Sequence, residues 1–128
     1  MGKWKGYLIS KNMDYDNRNG MPVTLTITDD ADNGDYVGDM VVSYRYQTDV
    51  YRAKYTVEGN INYVDYTISV IQTGLVYSDL LPKGLNWCFS SGDLNIYRST
   101  SAKKLYIDGY VYVDCTNENV RMILIKMD

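Results

Sequence analysis

Lys3-Trp4-Lys5-Gly6-Tyr7-Leu8-Ile9-Ser10-Lys11 is the stretch that decides the fold. Trp4, Gly6, Leu8 and Ser10 fall on one side of it, and Lys3, Lys5, Tyr7, Ile9 and Lys11 on the other. A period of two is the signature of a β-strand. A Trp two residues before a Gly on a first strand suggests a small antiparallel barrel that closes over its own N-terminal end. The indole would plug the floor, and the Gly would let another backbone approach closely. A barrel of this size either fills itself with side chains or holds one small ligand.

The same alternation recurs along the chain. The polar run Asn12 to Met21 predicts a loop over the barrel mouth, with Asp14 and Asp16 as solvated turn residues. Pro22 opens a second strand with Val23, Leu25 and Ile27 in phase, and Asp29 to Asp35 reads as a hairpin turn carried by Asn33-Gly34. A third strand to Gln47 phases Met40, Val42, Tyr44 and Tyr46, and Thr48-Asp49 makes a tight connection. A fourth phases Tyr51, Ala53, Tyr55 and Val57, and Gly59-Asn60 is expected to turn the chain. The fifth runs from Tyr63 to Thr73 with Val64, Tyr66, Ile68 and Val70 in phase. Gly74 to Gly92 reads as a long loop with a short strand or turn. Asp93 to Arg98, Lys104 to Asp114 and Val120 to Met127 complete the set. The reading is all-β: a single eight-stranded antiparallel up-and-down barrel of lipocalin or streptavidin type, one domain over residues 1–128.

Composition narrows the function classes. At 128 residues the chain is long enough to bury a core unaided. Its net charge of −3 gives no field that would attract duplex nucleic acid. No apolar run reaches the roughly 18 residues needed to span a bilayer, and nothing reads as a signal peptide. The expectation is a cytoplasmic soluble domain, tethered to the inner membrane if a longer protein carries a membrane segment elsewhere. Cys88 and Cys115, the only two cysteines, then read as reduced, buried core thiols, with a disulfide as the less favoured alternative.

The chain has no His, which removes Ser–His and Cys–His nucleophile pairs and leaves too few ligands for a Cys/His zinc site. Asp29-Asp30-Ala31-Asp32-Asn33-Gly34 fails as a calcium loop, because Ala31 and Met40 would stand at ligand positions. No phosphate-cradling motif is present. The reading is non-enzymatic, with no metal and no cofactor. Fourteen tyrosines supply the one candidate binding constellation. Tyr44, Tyr46, Tyr51 and Tyr55 share a face of two strands and could stack on a flat heterocycle, with Arg45 and Arg52 on the opposite face, within reach only at the rim. The competing reading makes those rings core filler. Tyr106, Tyr110 and Tyr112 share a face with Asp108 and decorate the outside, where they could form a protein interface or a homo-oligomer contact. Trp4 and Trp87 read as core plugs.

The pattern Trp4-x-Gly6, Glu58-Gly59, Gly84-x-x-Trp87-Cys88, Leu94 and Leu105-x-x-x-Gly109 with Cys115 resembles small lipocalin-like barrels that serve as terminal modules in bacterial signalling and defence proteins. Among them, the functional parallel is the barrel of CBASS effectors that carry two transmembrane helices. That resemblance implies a sensor of a cyclic oligonucleotide that triggers membrane disruption through helices outside this sequence. It implies Trp4, Gly6, Trp87, Cys88 and Cys115 as structural positions. The first strand also looks like the start of avidin-type barrels, but their tryptophan-rich biotin pocket is not matched. The alternatives are a lipocalin-type carrier of an apolar small molecule and a filled barrel acting as an interaction module.

Overall fold

Inward apolar residues alternate with outward polar ones through eight strands. They are β1 (Gly2–Ile9), β2 (Met21–Asp30), β3 (Asp35–Tyr46), β4 (Asp49–Asn62), β5 (Thr67–Ser78), β6 (Ser90–Arg98), β7 (Leu105–Val113) and β8 (Glu118–Lys126). The computed structural model describes residues 2–10, 20–101 and 103–127. The loop predicted from Asn12, with Asp14 and Asp16, lies up to residue 19 outside the described residues. Each strand pairs antiparallel with the next, and β8 returns to β1, closing the barrel. The all-β, up-and-down architecture read from the sequence is the one observed.

Closure depends on Gly6. It stands opposite Leu124 of β8, and a β-carbon at Gly6 would sit on the carbonyl oxygen of Ile123. Beside it, Trp4 is 6% exposed and pairs with Lys126, whose ammonium lies 5.8 Å from the indole centroid. That distance suits a cation–π contact. Trp4, Leu25, Ile27, Met40, Val57, Ile68, Leu94, Ile107 and Leu124 fill this end of the barrel. Fully burying one such aliphatic side chain contributes about 1.5–3 kcal/mol.

Three sequence expectations are corrected. Gly59-Asn60 does not turn the chain: β4 continues to Asn62, and the inward phase of Ala53, Tyr55 and Val57 carries on to Ile61. Gly59 instead makes room for a neighbour, because a β-carbon there would meet the Ser69 carbonyl and the Tyr36 ring. The turn comes later, where the Asn62 side-chain oxygen accepts from the backbone N–H of Val64 (2.9 Å) and Asp65 (3.0 Å). Such an Asx turn offers the backbone an alternative to the ladder. Tyr63, Val64 and Tyr66 therefore stand in an exposed turn, not in β5. Finally, β5 runs through Gly74 to Ser78, so the irregular segment shrinks to residues 79–89.

One asymmetry shapes the open end. β5 pairs with β6 only from Thr67 to Ile71, whereas it follows β4 as far as Ser78. Two register shifts on the β4 side bend this extension. The wall is thus split between β5 and β6 above Ile71, and the segment 79–89 crosses that split.

Candidate functional site: a lidded cavity at the open end

A cavity of about 360 Å³ occupies the end of the barrel opposite Trp4. Ligand sites of small molecules run from about 300 to 1,000 Å³, so this one suits a compact molecule. Its wall comes from Leu8, Met21, Val42, Val113 and Val120, all held inward by strand alternation. Its roof is the segment 79–89, which contributes Leu81, Leu85, Asn86, Trp87 and Cys88. Trp87 is fixed there by its indole N–H, which donates to the Asp79 carbonyl at 2.9 Å.

Besides Asn86 in the roof and the Tyr44 and Tyr55 hydroxyls, the polar groups of the cavity fall in two places. Toward its floor, Gln72 is 7% exposed and Ser90 8%. Gln72 accepts from the Ser90 backbone N–H at 2.8 Å and donates from Nε2 to the Met40 sulfur at 3.2 Å. A buried amide with both ends satisfied is stable and fixed in place. At the mouth, the Ser10 hydroxyl donates to the Glu118 carboxylate at 3.3 Å, and Thr116 lies alongside. Glu118 is the only charged residue among the described lining residues.

The tyrosine wall divides. Tyr44 and Tyr55 line the cavity, whereas Tyr46 and Tyr51 do not. Tyr44 and Tyr51 stand directly opposite each other across β3 and β4. Arg45 and Arg52 are exposed on the outer face and do not line the cavity. Arg52 is engaged through its backbone, which exchanges hydrogen bonds of 2.8 Å with Asp79. Trp4 does not reach the cavity, and its indole nitrogen has no hydrogen-bond partner among the described residues. Its contribution is packing. Trp87, read as a plug, is half-buried and faces the cavity. On the outside, Tyr110 and Tyr112 are exposed as expected, and Tyr106 stacks on Tyr97 with ring centroids 5.3 Å apart.

The cysteines depart from the expectation of separate core thiols. Cys88 is half-buried, Cys115 is exposed, and the two are joined as a disulfide with Cα atoms 5.6 Å apart. The residues are 27 apart in sequence, and the fold brings them together at the mouth: one ends the roof segment, the other opens the β7–β8 turn. The Asp114 carboxylate lies within 4.8 Å of both sulfurs. Sulfurs bonded to each other offer no thiolate to a metal.

Tyr55 ties the roof to the wall. Its hydroxyl donates to the Cys88 carbonyl at 2.8 Å, and its ring meets Phe89 edge-on at 5.3 Å. Burial pushes this hydroxyl up to about 12, and the Asp114 charge adds to the shift. Tyr36, buried and donating to the Ser69 carbonyl at 2.7 Å, is raised as well. Both groups hold their proton more tightly folded than unfolded, so their contribution is fully present below about pH 10 and lost as pH rises through the folded values. Alkaline titration followed by circular dichroism should show stability falling from about pH 10 upward. Tyr55→Phe should flatten that slope and cost about 1 kcal/mol at neutral pH through the orphaned carbonyl. An unchanged slope in the variant would remove Tyr55 from the account.

One further lining residue, Gln72, is marked in the sequence itself. Gln72 is in inward phase with Ile68 and Val70, and a polar residue at an inward position marks a site. Leu81, Leu85 and Asn86 carried no periodic signal, since loop residues have none. No protein-family model, curated protein or solved structure matches the chain.

Proposed function

We propose that this barrel binds one small, largely apolar molecule in the cavity under the 79–89 roof. The observation that carries the reading is the lining itself: mostly aliphatic walls, a roof of Leu81, Leu85 and Trp87 with Asn86, and few polar groups, chiefly the Gln72–Ser90 pair and the Ser10–Glu118 mouth. Apolar surface with a few placed polar groups is how small-molecule sites gain affinity and orientation. Mostly apolar walls, with one carboxylate at the mouth among the described lining residues, suit a carrier or sensor.

Glu118 is the one charged side chain among the described lining residues. A cyclic oligonucleotide carries one negative charge per phosphate, and the described lining offers it a carboxylate and no Lys or Arg. What supports that second reading is the Tyr44–Tyr51 pair at the mouth, whose rings could stack on a base, together with the motif likeness to defence effectors.

Titration with N-phenyl-1-naphthylamine, a neutral probe that fluoresces in apolar surroundings, separates the readings. Saturable enhancement at one probe per chain is expected, with competition by medium-chain alcohols and amines. Leu85→Asp places a second carboxylate in the roof and should weaken binding roughly tenfold or more. A micromolar thermal shift with cyclic di- or trinucleotides, combined with no probe binding, would overturn the apolar reading and favour the nucleotide sensor.

A further inference from the structure

We infer that the Cys88–Cys115 disulfide is a redox latch on the cavity, holding a ligand while oxidised and releasing it on reduction by an external thiol. The inference rests on the binding reading above and adds its regulation. The segment 79–89 behaves geometrically as a lid hinged at both ends. At its first end, Asp79 and Arg52 of β4 exchange two backbone-anchored bonds of 2.8 Å. At its last end, Phe89 and Asp114 exchange two more of 3.0 Å. Between these anchors the span is lightly held, and Leu80 at its crest is 93% exposed.

The disulfide is the one covalent tie between this lid and the β7–β8 turn, beside the Phe89–Asp114 bonds. It joins Cys88, which lines the cavity, to Cys115 in the turn that leads to Thr116 and Glu118. Among the described residues the lid supplies Leu81, Leu85, Asn86, Trp87 and Cys88 to the roof, so its position governs how far the cavity opens on this side. Cutting the tie leaves the Trp87–Cys88 corner held only by hydrogen bonds, from the Trp87 indole to Asp79, from Tyr55 to the Cys88 carbonyl and between Phe89 and Asp114.

The chemistry is accessible. Cys115 is exposed while Cys88 is half-buried, so an incoming thiolate meets the Cys115 sulfur first. Its attack forms a mixed disulfide and expels Cys88 as a thiolate, which takes up a proton. A second thiol attacks the reductant's sulfur in that mixed disulfide, releasing Cys115 as a thiolate that is protonated in turn. In sum, the protein disulfide gains two electrons and two protons, and two reductant thiols become one disulfide. An exposed bridge is of the labile type, in contrast to buried structural ones.

Amide hydrogen exchange on the unmodified chain, with and without dithiothreitol, reads the latch without any ligand. Peptides covering 79–89 should exchange about tenfold faster after reduction, at labelling times too short for the slow amides of β2 and β3 to exchange in either form. Stopped-flow release of N-phenyl-1-naphthylamine should accelerate by a similar factor, on the order of tenfold. The Cys88→Ser/Cys115→Ser chain should release at the fast rate and ignore the reductant. Equal release from oxidised and reduced protein overturns the latch while leaving binding intact, even if the lid exchanges faster. Probe binding to neither form overturns the binding reading, and the latch with it.

Discussion

Breaking the Cys88–Cys115 bridge should lower the unfolding free energy by about 3.5 kcal/mol, the chain entropy released by opening a loop of this length. The residues it joins are 27 apart, and the loop between them contains β6, β7 and the end of the lid. In a domain of this size that loss corresponds to roughly 10–15 °C in melting temperature. Urea denaturation of the oxidised chain, the reduced chain and the Cys88→Ser/Cys115→Ser variant measures it. The reduced chain and the variant should agree and both fall below the oxidised form. Coincident midpoints for all three would mean that the bridge only positions the lid. The bridge also bears on where the chain works, since disulfides persist in oxidising surroundings. Among the described residues no helix is long and apolar enough to cross a membrane, and that observation does not choose a compartment.

Gly6→Ala should be more damaging still, costing over about 4 kcal/mol or preventing folding outright, a size reserved for a few identifiable mechanisms. The added carbon would occupy the position of the Ile123 carbonyl oxygen, which is backbone and cannot rotate away. Relief requires β1 and β8 to separate, and their pairing closes the barrel. Gly74→Ala is the control. Its β-carbon would meet only the Thr56 hydroxyl, at 2.9 Å, which is the end of a side chain that can turn. That substitution should cost no more than about 1 kcal/mol. Expression and circular dichroism of the pair check the contrast. A folded Gly6→Ala with near-native stability would show that β1 and β8 can be spaced apart, contrary to the closure argument.

Much of the barrel was legible because alternation is written directly into strands. Trp4, Gly6 and Leu8 face inward as their spacing required, and so do Val23, Leu25 and Ile27. Gly59 misled because Gly has two meanings in a β-protein: a turn, or a place where another chain must come close. The continued inward phase of Val57 and Ile61 distinguishes the second meaning. The tyrosine wall was readable to the level of a face but not of depth, since alternation says which side a ring takes and not whether the strand outruns the barrel. Tyr44 and Tyr55 thus reach the cavity, and Tyr46 and Tyr51 do not. The cysteine pair was illegible for a different reason. Two loops far apart in sequence meet only once the barrel is closed, and no local pattern links them.

The split between β5 and β6 carries a consequence for handling the protein in solution. From Gln72 to Ser78, β5 is partnered on the β4 side alone. Its run Thr73-Gly74-Leu75-Val76-Tyr77-Ser78 carries no charge, and Leu75, Val76 and Tyr77 are exposed. An uncharged, apolar strand edge is a template for adding further strands. Aggregation of this barrel at high concentration therefore starts along β5, and a lid lifted by reduction widens the place where it starts.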